Sequence, residues 1–533
     1  MDQGPAPISA LRSLRSFFQM PPPGGRLAAS IQHLRSRLWL YFVLFVACAV
    51  YFYFVSGGGL RNWPVYGTYL DLQADGFRSG HLYVDLEPAP ELLRAADPRD
   101  RVNIRYWALD LSYFRGKYYC YWGPVPAIFQ ALGKTLLGIT RVIGDQYVGL
   151  FSACLAALAG GLIVERLGRR LFSAVPKVVL IFGILTFAFA NPMLHDVTTL
   201  GTYITAIVSA QAWLVMGVLL AFDTVWYAGT SSARRYRPLL AGLCWGLALA
   251  SRVTVLPTVA FLIGVTALVE AWESERRWFD ALWGALRLGT PVAIIGVSLL
   301  VYNKLRFDDP LQFGLNLQLS GYPALRFERQ YALPNLYSYS LRPFVASCQF
   351  PFVFQTWWIK TTDAFPAGFS VPADFNHDEP IVGWLRAVPI TWFIGFAFLL
   401  VPRRLLRVRH GRVYLWCLLS FGAMGCLTGL TALGAYAGTM RYLSDVTPGL
   451  VLLGLLGAFA FRAHHFARMA PKLSTTVVVL LASATLLMGA LLGYQGYNGH
   501  FHKYNPELDA KLVKALSFCG DTKPHVPRFA PSQ

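Results

Sequence analysis

Apolar residues gather in this chain into eleven runs, each set off from the next by a polar or charged segment. The runs cover roughly 38–57, 147–165, 178–194, 199–222, 238–252, 254–271, 286–302, 383–401, 413–434, 446–462 and 473–494. A helix needs ~20 mainly apolar residues to cross a bilayer. The pattern therefore predicts an all-α membrane protein of about eleven transmembrane helices, with two long segments left between runs, 58–146 and 303–382. Each is far longer than the ~12–15 residues of a structureless connection. Pro and Gly punctuate both, so short helices joined by turns are expected in them. No internal repeat is apparent.

Orientation follows from Lys and Arg, which stay on the cytoplasmic side of membrane proteins. The basic clusters are Arg12/Arg15/Arg26/Arg35/Arg37, Arg166/Arg169/Arg170/Lys177, Arg234/Arg235/Arg237, Arg276/Arg277, Arg403/Arg404/Arg407/Arg409 and Arg462/Arg468/Lys472. With eleven spans all six fall on one side. The same test settles 123–138 (GPVPAIFQALGKTLLG): counting it as a span would move Arg166–Arg170 outside, so it reads as an amphipathic helix lying in the interface. The expected organisation is a cytoplasmic segment 1–37, a transmembrane module 38–302 containing the first outer loop 58–146, a second outer loop 303–382, a second transmembrane module 383–494 and an extracytoplasmic tail 495–533. The expected location is the cytoplasmic (inner) membrane.

Composition agrees. Of 533 residues 55% are hydrophobic and 14% charged, against roughly 25% charged in soluble domains. A formal charge of +19 would suit nucleic acid in a soluble protein. Here the arginines sit in short segments between apolar runs, so loop asymmetry accounts for it and no nucleic-acid partner is expected. The run after residue 37 has no small-residue cleavage site and reads as an uncleaved first helix. Five cysteines (Cys48, Cys154, Cys244, Cys417, Cys426) lie in apolar runs as packing residues. Cys120, Cys348 and Cys519 fall in outer segments, where two could pair in an oxidising compartment.

The outer segments differ in chemistry. The first is acidic, with Asp71, Asp75, Asp85, Glu87, Glu91, Asp97, Asp100 and Asp110; the second is aromatic, with Tyr322, Phe327, Tyr331, Tyr337, Tyr339, Trp357 and Trp358. Three local motifs stand out: Gly116-Lys117-Tyr118-Tyr119-Cys120-Tyr121-Trp122-Gly123-Pro124-Val125-Pro126; Asn303-Lys304-Leu305-Arg306-Phe307 followed by Pro310–Gly314; and Met440-Arg441-Tyr442-Leu443-Ser444-Asp445-Val446-Thr447-Pro448. Their order, with the acidic loop after the first helix, resembles the GT-C superfamily of membrane glycosyltransferases, which includes protein O-mannosyltransferases and lipid A aminoarabinose transferases. Here the Lys and the prolines of the first motif are not adjacent. Nor are the loop acids, of which Asp71 and Asp75 stand nearest the family's pair.

The resemblance implies inverting transfer of a sugar from a polyprenyl-phosphate donor to an envelope glycan, glycolipid or protein hydroxyl. Such a reaction needs a general base for the attacking hydroxyl; the candidates are Asp75, then Asp110, then Asp71. It also needs a cation for the leaving phosphate, for which Arg441, Lys117 and Arg252 are the candidates. His195, Asp196, Tyr442, Trp357 and Trp358 are expected to touch substrate. No cofactor is required; a divalent metal is allowed by the resemblance, but no metal-ligand set is assigned. The chain has no GxxxxGK[ST] loop and no strand-placed GxGxxG, which speaks against a nucleotide donor. The rival classes are a polytopic lipid or sugar transporter or flippase, which would show repeats and mid-membrane polar sites, and a diphosphate-donor polymerase or ligase. Reporter fusions test the topology. A phosphatase active only outside the cell is expected to work when joined after residue 146, 382 or 495 and to fail after residue 37; activity after residue 37 would reverse the orientation.

Overall fold

The computed structural model describes residues 23–61, 63–172, 175–228, 236–272, 274–320, 327–355, 365–375, 380–399, 409–435, 438–464, 469–497 and 499–519. Trp357, Trp358, Tyr322, the arginines at 234, 235, 403, 404, 407 and 468, and the ends 1–22 and 520–533 lie outside the described residues. The main helices are α1 (Pro23–Val55), α2 (Tyr69–Arg78), α3 (Val125–Leu136), α4 (Gln146–Arg166), α5 (Lys177–Phe189), α6 (Thr202–Trp226), α7 (Arg237–Ser251), α8 (Leu256–Glu270) and α9 (Arg277–Phe307). They continue with α10 (Pro389–Leu399, opening as a 3-10 turn), α11 (Arg409–Cys426), α12 (Met440–Ala463), α13 (Pro471–Gln495) and α14 (Pro506–Leu516).

Each of the eleven apolar runs coincides with a helix. Among the described residues eight are long and apolar enough to cross a membrane; Lys177–Phe189, Arg237–Ser251 and Pro389–Leu399 are shorter there. The α6 helix lies at the centre, packed on α4 and α7, while α7 also packs on α9 and α12 packs on α10 and α11. Glycines allow close backbone approach at these contacts, as expected where helices associate by packing. A Cβ at Gly242 would meet the Leu288 carbonyl oxygen at 2.0 Å, and one at Gly457 the Phe393 carbonyl oxygen at the same distance. On α9 the side chains of Ile294, Val297, Val301 and Leu305 are exposed. Their spacing of three and four makes one stripe, a face suited to lipid.

Three of the basic segments, around Arg37, Arg166–Arg170 and Arg237, meet at one end of the bundle. Glu165 pairs with Arg37 and Arg169, Asp223 pairs with Arg166 and Arg170, and Arg170 and Arg237 both lie over Tyr227. The loops and the C-terminal segment meet elsewhere. Leu319 accepts the Asp110 amide and donates to the Leu111 carbonyl, joining the two loops. A Cys348–Cys519 disulfide ties the second loop to the segment after α14, and the Asn505 side chain donates to Gly57 beyond α1. Of the three outer cysteines, Cys120 is the unpaired one: it is buried, with Sγ 3.5 Å from the Tyr69 carbonyl oxygen.

The first loop is fastened by a buried ion cluster. Lys134 of α3 puts Nζ 2.8 Å from Asp71 Oδ1 and 2.6 Å from Asp75 Oδ2, both on α2. The spacing 71/75 sets both carboxylates on one helix face. Asp71 also accepts the Gln130 amide and the backbone amides of Ile143 and Gly144. Next in the chain, Asp145 accepts the Asp71 amide at 2.9 Å and the Thr202 hydroxyl at 2.6 Å. The α3 helix thus buries Val125, Ala127, Gln130 and Lys134 and exposes Ile128, Leu132 and Leu136, the two-faced character of an interfacial helix. The second half of the loop forms a hairpin of β1 (Ser112–Phe114) and β2 (Lys117–Tyr119). Its turn residues Arg115 and Gly116 both have positive φ, 49° and 73°, as a two-residue type I′ turn requires.

Removing one partner of a buried ion pair strands the other charge, at a cost of ~3–5 kcal/mol. Lys134→Met is therefore expected to lower the Tm of the detergent-purified protein sharply, and an unchanged Tm would show that the cluster does not hold the loop. Burial pushes the Asp145 carboxyl up to about 6, against an ordinary 3.8. An acid raised in the folded state adds stability that is full below its unfolded pKa and is lost as pH rises through the folded one. The Tm of Asp145→Asn should accordingly gain on the parent's between about pH 4 and about pH 6. A gap independent of pH would contradict this.

Candidate functional site: a polar cavity joined to an apolar groove

The interlock of the two loops positions Asp110. Its backbone is left-handed, φ 70°, a conformation Asp tolerates better than most residues. Its amide is held by Leu319, and Gln318 donates to its Oδ1 at 3.0 Å and to the Tyr203 hydroxyl at 3.2 Å. Burial raises the Asp110 pKa, while hydrogen bonds from Tyr203 and Gln318 and the charge of Arg441 pull it back. Tyr203 opens α6, one residue after the Thr202 that Asp145 holds. Arg441 opens α12 and lies 4.5 Å over the Tyr203 ring.

These groups line a polar cavity of about 460 Å³, whose wall also includes Tyr66, Tyr69, Trp122, His195 and Tyr497. The Tyr66 hydroxyl is 2.5 Å from His500 Nδ1, and burial pushes the His500 ring down to about 4. Burial, with the nearby Asp110 charge adding, pushes Tyr69 up to about 12. Both stay uncharged near neutrality.

A second cavity of about 240 Å³ adjoins the first and is mainly apolar. Ile207, Leu249, Leu299 and Phe313 line it, together with Arg252, Arg306 and Tyr442. Trp122, Tyr203 and Arg441 belong to both walls. Arg306 is buried at the end of α9. It donates to the Cys120 carbonyl oxygen at 2.6 Å and to Asn303 Oδ1 at 2.7 Å, and its guanidinium lies 3.9 Å over the Tyr302 ring. No acidic side chain among the described residues is paired with it, and its Nε has no hydrogen-bond partner. Arg252 is paired with Asp445 at 2.8 Å.

The candidates read from the sequence separate cleanly. Asp110, Arg441 and His195 line the polar cavity, and Arg441, Arg252 and Tyr442 line the groove. Asp196 is buried beside His195 and accepts the Ser444 hydroxyl at 2.5 Å. Asp75 and Asp71 line neither cavity; both are bound to Lys134. Lys117 lines neither: it sits on the hairpin, 3.3 Å from Glu87 and 4.7 Å over the Tyr83 ring. Arg306 and Trp122 stood within the local motifs without a role assigned to them, and Tyr203 and Gln318 stood in none. A cation at the end of a long apolar helix is costly unless it has work to do, and that signal marks Arg306. Among the described residues no three His, Cys, Asp or Glu side chains converge as a metal set. Among the described residues on the cavity wall, Asp110 and His195 are of that kind.

No family model matches the sequence, and no curated protein does. Solved structures similar to it include ArnT from Cupriavidus metallidurans bound to undecaprenyl phosphate, at 15% identity and TM-score 0.46, covering 89% of this chain and 80% of that one. The archaeal oligosaccharyltransferase AglB from Archaeoglobus fulgidus, in complex with an inhibitory peptide and a dolichol-phosphate, is similar at 13% identity and TM-score 0.44, covering 93% of this chain. The chain spans only 61% of the length of that enzyme.

Proposed function

We propose that the protein is a membrane glycosyltransferase moving a sugar from a polyprenyl-phosphate carrier to a cell-envelope hydroxyl on the extracytoplasmic face. The observation that carries this reading is the junction of the two cavities. A polar chamber holding one carboxylate meets an apolar, arginine-bearing chamber between membrane helices, and Arg441, Tyr203 and Trp122 stand at their common wall. The aliphatic lining supports binding of a lipid chain. The arginines suit its phosphate by directed, charge-assisted hydrogen bonds. The gathering of basic segments at one end of the bundle supports a cytoplasmic N-terminus and outward-facing loops.

In this reading Asp110, rather than Asp75 or Asp71, is the base. Its carboxylate takes the acceptor proton as the hydroxyl oxygen bonds to the sugar C1 from the face opposite the phosphate. The C1–O bond to the phosphate breaks, its electron pair leaves on the phosphate oxygen, and the configuration at C1 inverts. Arg306 and Arg441 meet the charge that develops there. Arg252 is partly committed to Asp445 and orients the groove. Burial raises the Asp110 pKa and so makes its carboxylate a better proton acceptor.

The test is transfer of label from a panel of polyprenyl-phosphate sugars to envelope extract by the purified protein. General-base catalysis contributes ~10²–10⁴-fold, so Asp110→Asn should lose turnover by that order while retaining its fold and its binding of carrier lipid. Asp75→Asn should lower Tm yet keep its turnover per folded molecule. Undiminished transfer in Asp110→Asn overturns the base assignment. Absence of transfer by the parent from every donor overturns the transferase reading.

A further inference from the structure

Asp110 and Arg441 come from distant parts of the chain, and one side chain touches both. Tyr203 is the second residue of α6. The backbone just before it is pinned. The Thr202 hydroxyl donates to Asp145 at 2.6 Å, and Gly201 packs against Tyr66, whose carbonyl oxygen would lie 3.0 Å from a Cβ at that glycine. The Arg441 guanidinium lies 4.5 Å over the Tyr203 ring, and the Trp122 ring meets it edge to face at 4.7 Å. The hydroxyl is fully engaged. A phenol offers one proton and two acceptor lone pairs. The Gln318 amide donates to the oxygen at 3.2 Å, the Tyr121 hydroxyl donates to it as well, and its own proton goes to the Asp110 carboxylate.

These three bonds exhaust the hydroxyl, so Tyr203 has no polar group left for a ligand although it stands on the wall of both cavities. It acts on its neighbours instead. A displacement at C1 needs its base and its phosphate cation at a set separation, and a misplacement of ~1 Å can cost ~10²-fold in rate. The aromatic ring and its hydroxyl oxygen form one rigid, planar unit. We propose that Tyr203 is a positioning residue that couples the two halves of the reaction, its hydroxyl fixing the Asp110 carboxylate and its ring fixing the Arg441 guanidinium. The proposal rests on the transferase reading, in which Asp110 serves the acceptor and Arg441 the departing phosphate. An aromatic kept for packing alone needs neither a proton directed at a carboxylate nor a cation on its face.

Equilibrium binding of radiolabelled undecaprenyl phosphate to the purified full-length protein, measured across pH, tests this without any sugar. The Asp110 carboxylate repels the lipid phosphate and competes for Arg441, so the parent's affinity should step down as pH rises through the titration of Asp110. The titratable and charged groups facing Asp110 are Tyr69 of α2, Tyr121, Tyr203 of α6 and Arg441 of α12. The ordinary tyrosine pKa is ~10 and the arginine value higher, so none of them titrates in the acid range. Dividing by the Asp110→Asn profile removes the titration of the lipid and of His195 on the same wall. A hydrogen bond donated to a carboxylate favours its charged form. Tyr203→Phe should therefore move the step up by about one pH unit, and above the step it should bind the lipid as tightly as the parent. Tyr203→Leu also removes the ring from Arg441 and should weaken lipid binding about fivefold. An unmoved step in Tyr203→Phe, no step in the parent, or equal binding by the leucine and phenylalanine variants would each overturn the proposal. Tyr203→Phe keeps the packing and carries the test alone if the leucine variant does not fold. In transfer assays the acid limb of kcat/KM should move up with the binding step in Tyr203→Phe. Transfer with that limb unmoved would sink this proposal alone, whereas a moved binding step in a parent that transfers nothing would support the coupling and sink the transferase reading.

Discussion

One buried cation organises the loop-bearing half of this molecule. Lys134 is enclosed with Asp71 and Asp75, and a charge removed from water in this way is tolerable only while its partners stay within contact. The constraint extends beyond the ion pairs. Asp71 takes two backbone amides just before Asp145, and Asp145 takes the Asp71 amide and the Thr202 hydroxyl. Each link satisfies a polar group that would otherwise be buried alone. The chain of contacts sets α2, α3 and the N-terminal ends of α4 and α6 relative to one another, and the next residue along α6 is Tyr203, on the wall shared by the two cavities.

The second loop completes the site. Leu319 and Gln318 hold Asp110 by backbone and side chain, and Arg306 reaches back from α9 to the Cys120 carbonyl oxygen. A carboxylate from the first loop therefore shares a cavity wall with Arg441 of α12, while Arg252, just after α7, and Arg306 of α9 line the adjoining groove. The cations are tolerated beside apolar side chains because each is braced: Arg252 by Asp445, Arg306 by Asn303 and Tyr302, and Arg441 by the face of Tyr203. Cation–π contact and hydrogen bonding offset the loss of water. The division into a polar and an apolar chamber thus follows from which loop or helix supplies each wall.

Local signals and long-range contacts were unequally legible. A membrane span depends on some twenty consecutive residues, so the helices were open to reading, as was a helix with two unlike faces at 123–138. The His195-Asp196 pair announced itself as polar residues in apolar surroundings. The choice among the first-loop acids was different. Asp71, Asp75 and Asp110 are alike as sequence, and what separates them is Lys134, some sixty positions away, and Gln318, about two hundred positions away. Lys117 looked like a phosphate ligand for the same reason: nothing nearby in the chain reveals that a hairpin turns it towards Glu87.

Length, hydropathy and the placement of arginines were enough to establish a helical membrane protein with two chemically distinct loops, because the bilayer acts on contiguous stretches and on short connections. Which acid meets the arginines, which two outer cysteines join across 171 positions, and that Arg306 and Tyr203 belong to the site were decided by folding. Pairing of buried charges and hydrogen-bonding groups depends on proximity in space, and no local pattern encodes the proximity that the closing of two loops over a helix bundle creates.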